Sequence, residues 1–173
     1  RTLAEVQLDN RQVRIGAWQI QAGRTTIYLL DTNIEENSPQ DRQLSARLYI
    51  ADRELRIQQE IVLGIGGVRV LRALGIKPAL WHANEGHAAF MMLERAREEI
   101  EEGASFEEAV KRLRAATVFT THTPVPAGHD VFPVQFMDKY FHSYWDCLKM
   151  DREKFMRLGQ QDGVSDVFNM TVL

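Results

Sequence analysis

The chain has 173 residues, enough to bury a sizeable core as one domain or as a large piece of a bigger one. Its composition, 45% hydrophobic and 26% charged, excludes long disorder, and a net charge of -3 gives no electrostatic reason for a nucleic-acid or anionic-membrane partner. No apolar run approaches the ~20 residues that span a bilayer, and a lone cysteine, Cys147, excludes an internal disulfide and fits a reducing, cytoplasmic compartment.

The opening RTLAEVQLDN has neither an initiator Met nor a signal-peptide pattern, and the closing VFNMTVL carries no stop signal. A fragment of a longer chain is expected. QVRIGAWQI (12–20) alternates apolar Val13, Ile15 and Ala17 with other residues, TTIYLLDT (25–32) is β-branched and apolar, and QAGR lies between them. These predict a β-hairpin whose second strand is the more buried. Residues 33–52 hold Asn, Ser, Pro and Asp without apolar period and predict a loop long enough to serve as a functional cover.

From Arg53 to Leu74, Ile57, Ile61, Ile65, Val68 and Leu71 recur at spacings of three or four, the period of a helix with one buried face. GIGG (64–67) lies inside that period, lacks the dinucleotide-binding pattern and carries a helix cost of ~1 kcal/mol per glycine. Close approach of a strand, a helix or a ligand is expected to offset it. Gly75 and Pro78 end the helix, ALWHAN follows as a short strand, and Ala89, Leu93, Ala96 and Ile100 mark the inner face of another helix. Ser105 with Glu108 makes a capping box for a helix over 106–114, whose Glu107/Lys111 and Glu108/Arg112 pairs form a solvated charged face.

ATVFTTHTPVPAGHD then reads as a strand running into a Pro/Gly loop, and the aromatic-rich segments beyond Phe132 read as helical. Strands alternating with helices predict an α/β fold with a parallel sheet and flanking helices. The expected organisation is a single-domain fragment over 1–173: a β-hairpin region (1–32), a loop (33–52), an α/β core (53–131) and a helical segment (132–173).

Open α/β sheets bind ligands at the carboxyl ends of their strands. HANEGH and THTPVPAGHD both fall at such ends, so two adjacent strands deliver polar groups to one rim. His82, Glu85, His87, His122 and His129 include good zinc ligands, but His82 and His87 are five apart across a strand-to-helix turn, unlike HExxH, and no metal is expected. Glu85 and Asp130 are the rim carboxylates available for an acid/base pair across a sugar, with nothing in their spacing to show that they face each other. No GxSxG elbow supports a serine nucleophile. Cys147 reads as a small buried hydrophobe. The residues alone leave the reaction type open.

Taken together, ADRELRIQQEIVLGIGG, WHANEGHAAF and VFTTHTPVPAGHDVF resemble the α-glucan (glycogen or maltodextrin) phosphorylases, the shorter bacterial and archaeal form in particular, in order from about Tyr28 to the final FNMTVL. The resemblance implies part of the N-terminal Rossmann-like domain of a glycosyltransferase B fold. It implies reversible phosphorolysis of α-1,4-glucan by inorganic phosphate to glucose 1-phosphate. Pyridoxal phosphate is the implied cofactor, and the lysine that holds it lies in a C-terminal domain outside this chain. His122 matches the family histidine that lies next to the glucosyl unit being transferred, contacts the sugar and supports the cationic transition state through its backbone carbonyl, and Thr123 follows it. Asn84, Glu85 and His87 match a substrate-lining Asn-Asp-Thr-His stretch, with Glu85 in place of Asp and Gly86 in place of Thr. The loop before RELR corresponds to a mobile gate.

The expected parent is thus a cytoplasmic glycosyltransferase acting on glucan and phosphate, with this piece inactive alone and homo-oligomerisation left open. Glu85 and His87 are expected to face ligand and His82 to be structural. Two other readings stand beside it: a nucleotide-sugar transferase of the glycogen or starch synthase type, and a non-catalytic carbohydrate-binding module.

Overall fold

The computed structural model describes residues 2–48, 51–122, 129–161 and 166–173. It resolves into two compact units, Arg1–Lys77 and Pro78–Leu173. In the first, β1 (Ala4–Leu8), β2 (Arg11–Ala22) and β3 (Thr25–Asp31) form an antiparallel sheet in the order β1-β2-β3. The expected hairpin is β2–β3, closed by a two-residue turn in which Gly23 takes φ +62°, a conformation that two-residue hairpin turns need.

The burial is the reverse of that expected. Val13 and Ile15 of β2 are fully buried, whereas Ile27 and Leu29 of β3 are 40% and 49% exposed, beside exposed Trp18 and Ile20 across the register. β3 is an edge strand, and the helical segment packs over β1 and the first half of β2. Apolar content does not tell a strand which end of a sheet will be covered.

That cover is α1 (Arg53–Ile61), a π-helical turn (Val62–Gly66) and α2 (Gly67–Ala73). Asp52 caps α1, its side chain accepting from the Glu54 and Leu55 amides, and Gly75 at φ +73° follows the end of α2. Ile57, Ile61, Ile65 and Val68 are all buried, as their period predicts. The glycines meet a strand: a Cβ on Gly66 would stand 2.3 Å from Ile15 Cδ1 and 3.4 Å from Val6 Cγ1. The long segment after β3 is stitched down. Buried Asn37 accepts from the Arg14 amide at 2.9 Å and donates to the Arg14 and Thr32 carbonyls at 2.8 Å each, supplying β2 with bonds that a further strand would have made. Buried Asp41 pairs with Arg11 at 2.9 Å.

In the second unit, β4 (Trp81–Asn84) and β5 (Thr117–Thr120) pair in parallel, joined through α3 (Met91–Glu101) and α4 (Phe106–Ala115). The α/β expectation holds at this level: the chain is mixed, with a small parallel sheet and helices. Ala89, Leu93, Ala96 and Ile100 are buried. The capping box forms, with Ser105 Oγ accepting from the Glu108 amide and the Glu108 carboxylate accepting from the Ser105 amide. Buried Arg95 lies over the Trp81 ring at 4.9 Å and donates to Thr117 Oγ1 at 2.7 Å, tying α3 to both strands.

Residues 132–173 do hold helices, α5 (Val134–Phe141), α6 (Tyr144–Cys147) and α7 (Arg152–Arg157). They also contribute to an antiparallel pair, β6 (Val131–Pro133) with β7 (Val167–Asn169), which the aromatic pattern did not show. Phe90, Phe141, Phe155 and Phe168 pack in sequence with centroids 4.7 to 5.8 Å apart, the last pair stacked and the others tilted. Cys147, expected to be buried, is exposed because α6 is a single short turn that turns no residue fully inward.

Candidate functional site

The polar rim is built by register. β4 and β5 run in parallel with Trp81 opposite Thr117 and Asn84 opposite Thr120, so the residues leaving both strands emerge side by side. The Glu85 amide adds one more rung, donating to the Thr120 carbonyl at 2.8 Å. Glu85 and the Thr121–His122 pair are thereby brought together at the carboxyl ends of adjacent strands.

Glu85 turns away from the strand at φ 60°, ψ -177°, a region that is essentially confined to glycine and costs ~1–3 kcal/mol for other residues. Surrounding bonds hold it there. Its side chain is directed at the end of β5: Oε1 accepts the His122 amide at 2.6 Å and faces His122 Nδ1 at 3.2 Å, and Oε2 accepts the Thr121 hydroxyl at 3.0 Å. The His122 amide above all holds the Glu85 carboxyl down at about 2, against burial that pushes it up, while the Thr121 hydroxyl and the His122 ring add to the lowering. Glu85 is therefore a carboxylate at any neutral pH.

Gly86 follows and opens a short 3-10 turn, Gly86–Ala88. A Cβ at Gly86 would stand 2.9 Å from Met170 Cβ and 3.2 Å from the Met170 carbonyl carbon, so the chain just after β7 presses directly on this turn. The turn presents His87, whose Nδ1 lies 2.7 Å from Asp130 Oδ2, with both side chains part-buried. His129 Nδ1 meets Thr171 Oγ1 at 2.9 Å.

Of the sequence-predicted residues, the structure brings Glu85 and His122 into direct contact. Asn84 is exposed at the rim, and the His122 side chain is 61% exposed. His87 Nδ1 is engaged by Asp130. Glu85, expected to face ligand, is 7% exposed, with its carboxylate directed at the β5 end. His82 bonds Thr120 Oγ1 at 2.7 Å across the strand pair. Thr123 lies outside the described residues. Thr121 and Met170 were missed. The hydroxyl immediately before the histidine in TTHT was a usable signal for the first, but nothing local marks Met170, which reaches the site from 84 positions further along the chain.

A cavity of about 430 Å³ in the first unit, lined in part by Gln43, Arg47 and Leu55, contains none of the predicted residues. Chemically, the rim can receive a neutral polar ligand: an exposed amide and an imidazole stand beside a buried anion that fixes the backbone of one of them.

The chain is 47% identical over 171 residues to the maltodextrin phosphorylase of Thermococcus litoralis, covering 99% of this chain and 20% of that protein. It is 36% identical over 169 residues to the glycogen phosphorylase of Aquifex aeolicus, covering 97% of this chain and 24% of that one. This chain is similar to a part of proteins named maltodextrin and glycogen phosphorylases. The glycogen phosphorylase of Mycobacterium tuberculosis agrees, at 47% identity over 145 residues, 80% of this chain and 17% of that protein. No family model matches. The likeness to the phosphorylases takes in nearly the whole chain, including the hairpin upstream of Tyr28, while the chain spans about a fifth of the length of these curated relatives.

Proposed function

We propose that this chain forms the sugar side of the site of an α-1,4-glucan phosphorylase, which splits glycogen or maltodextrin with inorganic phosphate to give glucose 1-phosphate, reversibly. The observation that carries the reading is the meeting of Glu85 and His122 at the ends of a parallel strand pair, in a chain whose relatives bear the phosphorylase name. The β4–β5 pair with its α3–α4 crossover is then one unit of a larger Rossmann-like sheet, the N-terminal half of a glycosyltransferase B architecture.

Asn84, His87 and His122 line the glucosyl unit, with Thr123 beside them. As the bond to the departing glucan breaks, the anomeric carbon becomes electron-poor, and the dipole of the His122 carbonyl, held in place by the Glu85 bond to the same residue's amide, is aimed at that charge. No carboxylate nucleophile is needed, because phosphate is the attacking group.

Pyridoxal phosphate is the expected cofactor, and the residues present do not fit it. A Schiff base needs an amine that can lose its proton, whereas all five lysines here, Lys77, Lys111, Lys139, Lys149 and Lys154, are exposed, and none belongs to β4, β5 or the segments leaving them. Its lysine and the phosphate-binding basic groups fall to the rest of the protein, which is also the partner this chain needs for activity. No helix among the described residues is long and apolar enough to cross a membrane.

The test is phosphate-dependent release of glucose 1-phosphate from maltodextrin by the full-length protein, with and without pyridoxal phosphate. Release in neither condition refutes the reading. His122→Ala is expected to lower turnover at least about tenfold, equivalent to ~1.4 kcal/mol of transition-state stabilisation.

A further inference from the structure

Glu85 has features that a side chain kept for a ligand does not need. It is buried, it sits in a backbone conformation that disfavours every side chain, and its carboxylate is bonded to the amide and the neighbouring hydroxyl of the strand end opposite. The strain is worth holding only if the position of the carboxylate matters. What it fixes is His122, twice: through the backbone N–H at 2.6 Å and through ring Nδ1 at 3.2 Å.

An ionised carboxylate only accepts hydrogen bonds, so the ring nitrogen facing it must carry a proton. In a neutral imidazole that leaves the lone pair on Nε2, the ring nitrogen that does not face Glu85, on a side chain that is 61% exposed. Free histidine prefers the opposite tautomer, with the proton on Nε2.

We propose that Glu85 is a positioning residue for His122: it locks the backbone at the end of β5 and sets the ring in the Nδ1–H tautomer, so that Nε2 is presented as a hydrogen-bond acceptor to a hydroxyl of the sugar. The hydroxyl part rests on the phosphorylase reading, while the ring part stands on the geometry alone. Every hydroxyl of a glucosyl unit can donate to such an acceptor, which a ring in the other tautomer lacks.

The test compares wild type with Glu85→Leu, Glu85→Gln and Thr121→Val in the full-length protein, each shown to be folded by its thermal transition. Nitrogen-15 NMR of labelled histidine reads the His122 tautomer directly. Nδ1–H is expected in the wild type, in Thr121→Val, which loses a bond to Glu85 without touching either bond to His122, and in Glu85→Gln, whose amide oxygen can take the place of Oε1 and accept both bonds from His122. Glu85→Leu, which leaves no acceptor, is expected to shift the ring toward Nε2–H. An unchanged tautomer in Glu85→Leu overturns the proposal, and so does an equal shift in Thr121→Val, which would mean only that the turn had loosened.

In the phosphorolysis assay, Glu85→Leu is expected to lose about tenfold in turnover while KM for maltodextrin changes little, as befits a residue that acts through His122. A loss confined to KM would make Glu85 a direct sugar ligand and overturn the proposal. The NMR result decides the role of Glu85 even if the protein releases no glucose 1-phosphate, an outcome that would count against the functional reading alone.

Discussion

Gly66 and Gly86 stand in different units and meet the same constraint, a neighbour too close for a side chain, for different ends. At Gly66 the neighbour is the tip of Ile15, and the close approach lets a helical segment lie on β1 and β2 around an aliphatic core of Val6, Leu8, Val13 and Ile15. At Gly86 the neighbours are Met170 Cβ and carbonyl carbon, and the residue just before it is a glutamate in a glycine-like conformation. In the first unit polar side chains serve the backbone, as Asn37 does for β2. In the second the backbone is strained to serve a polar side chain. Strain set against a buried carboxylate, in a unit otherwise held by packed aromatics, is the contrast on which the site proposed for the second unit rests.

The contrast between the cores has the largest consequence. Phe155 is fully buried between Phe141 and Phe168, so Phe155→Ala is expected to cost ~3–5 kcal/mol, whereas Ile15→Val in the first unit should cost ~0.5–1.5 kcal/mol; urea unfolding measures both. A loss from Phe155→Ala no larger than that from Ile15→Val would show that the aromatic packing around Phe155 does not persist in solution.

The glycines sharpen it next. Gly86→Ala pushes on Met170 main chain and is expected to destabilise by ~1–3 kcal/mol. Gly66→Ala pushes on the movable end of Ile15 and gains helix propensity of up to ~1 kcal/mol, so its net cost should be the smaller of the two in thermal unfolding.

The smallest and most local effect is electrostatic. Because the folded-state value for Glu85 is depressed to about 2 from the usual 4.5, the stability it contributes is fully present above about pH 4.5 and is lost as pH falls through about 2. A carbon-13 NMR titration of the Glu85 carboxyl should find it still ionised at pH 3.5. A midpoint near 4.5 would mean that the bonds to Thr121 and His122 do not persist in solution.

Much of this was legible in the sequence. Local periodicity and capping chemistry are sequence-near properties, so the buried stripe of Ile57, Ile61, Ile65 and Val68, the Ser105/Glu108 box and the turn at Gly23 could all be read in advance. The β4/β5 rim was legible as well, because alternating strands and helices imply parallel pairing and place both polar clusters at one edge. The motifs WHANEGHAAF and TTHTPVPAGHD carried the resemblance to the phosphorylases.

Tertiary structure alone decided the rest. Which face of the hairpin is covered depends on where a distant helix docks, so β3 proved exposed despite its apolar sequence. That β6 and β7 pair depends on segments more than thirty residues apart. The direction of the Glu85 carboxylate goes with a one-residue extension of the strand register, the Glu85 amide on the Thr120 carbonyl, and with the backbone angles at Glu85, which together bring it to the neighbouring strand end. Sequence names the groups at a strand end. The direction each one faces is set by the backbone angle at a single residue and by what the fold brings up behind it, here His122 on one side and Met170 on the other.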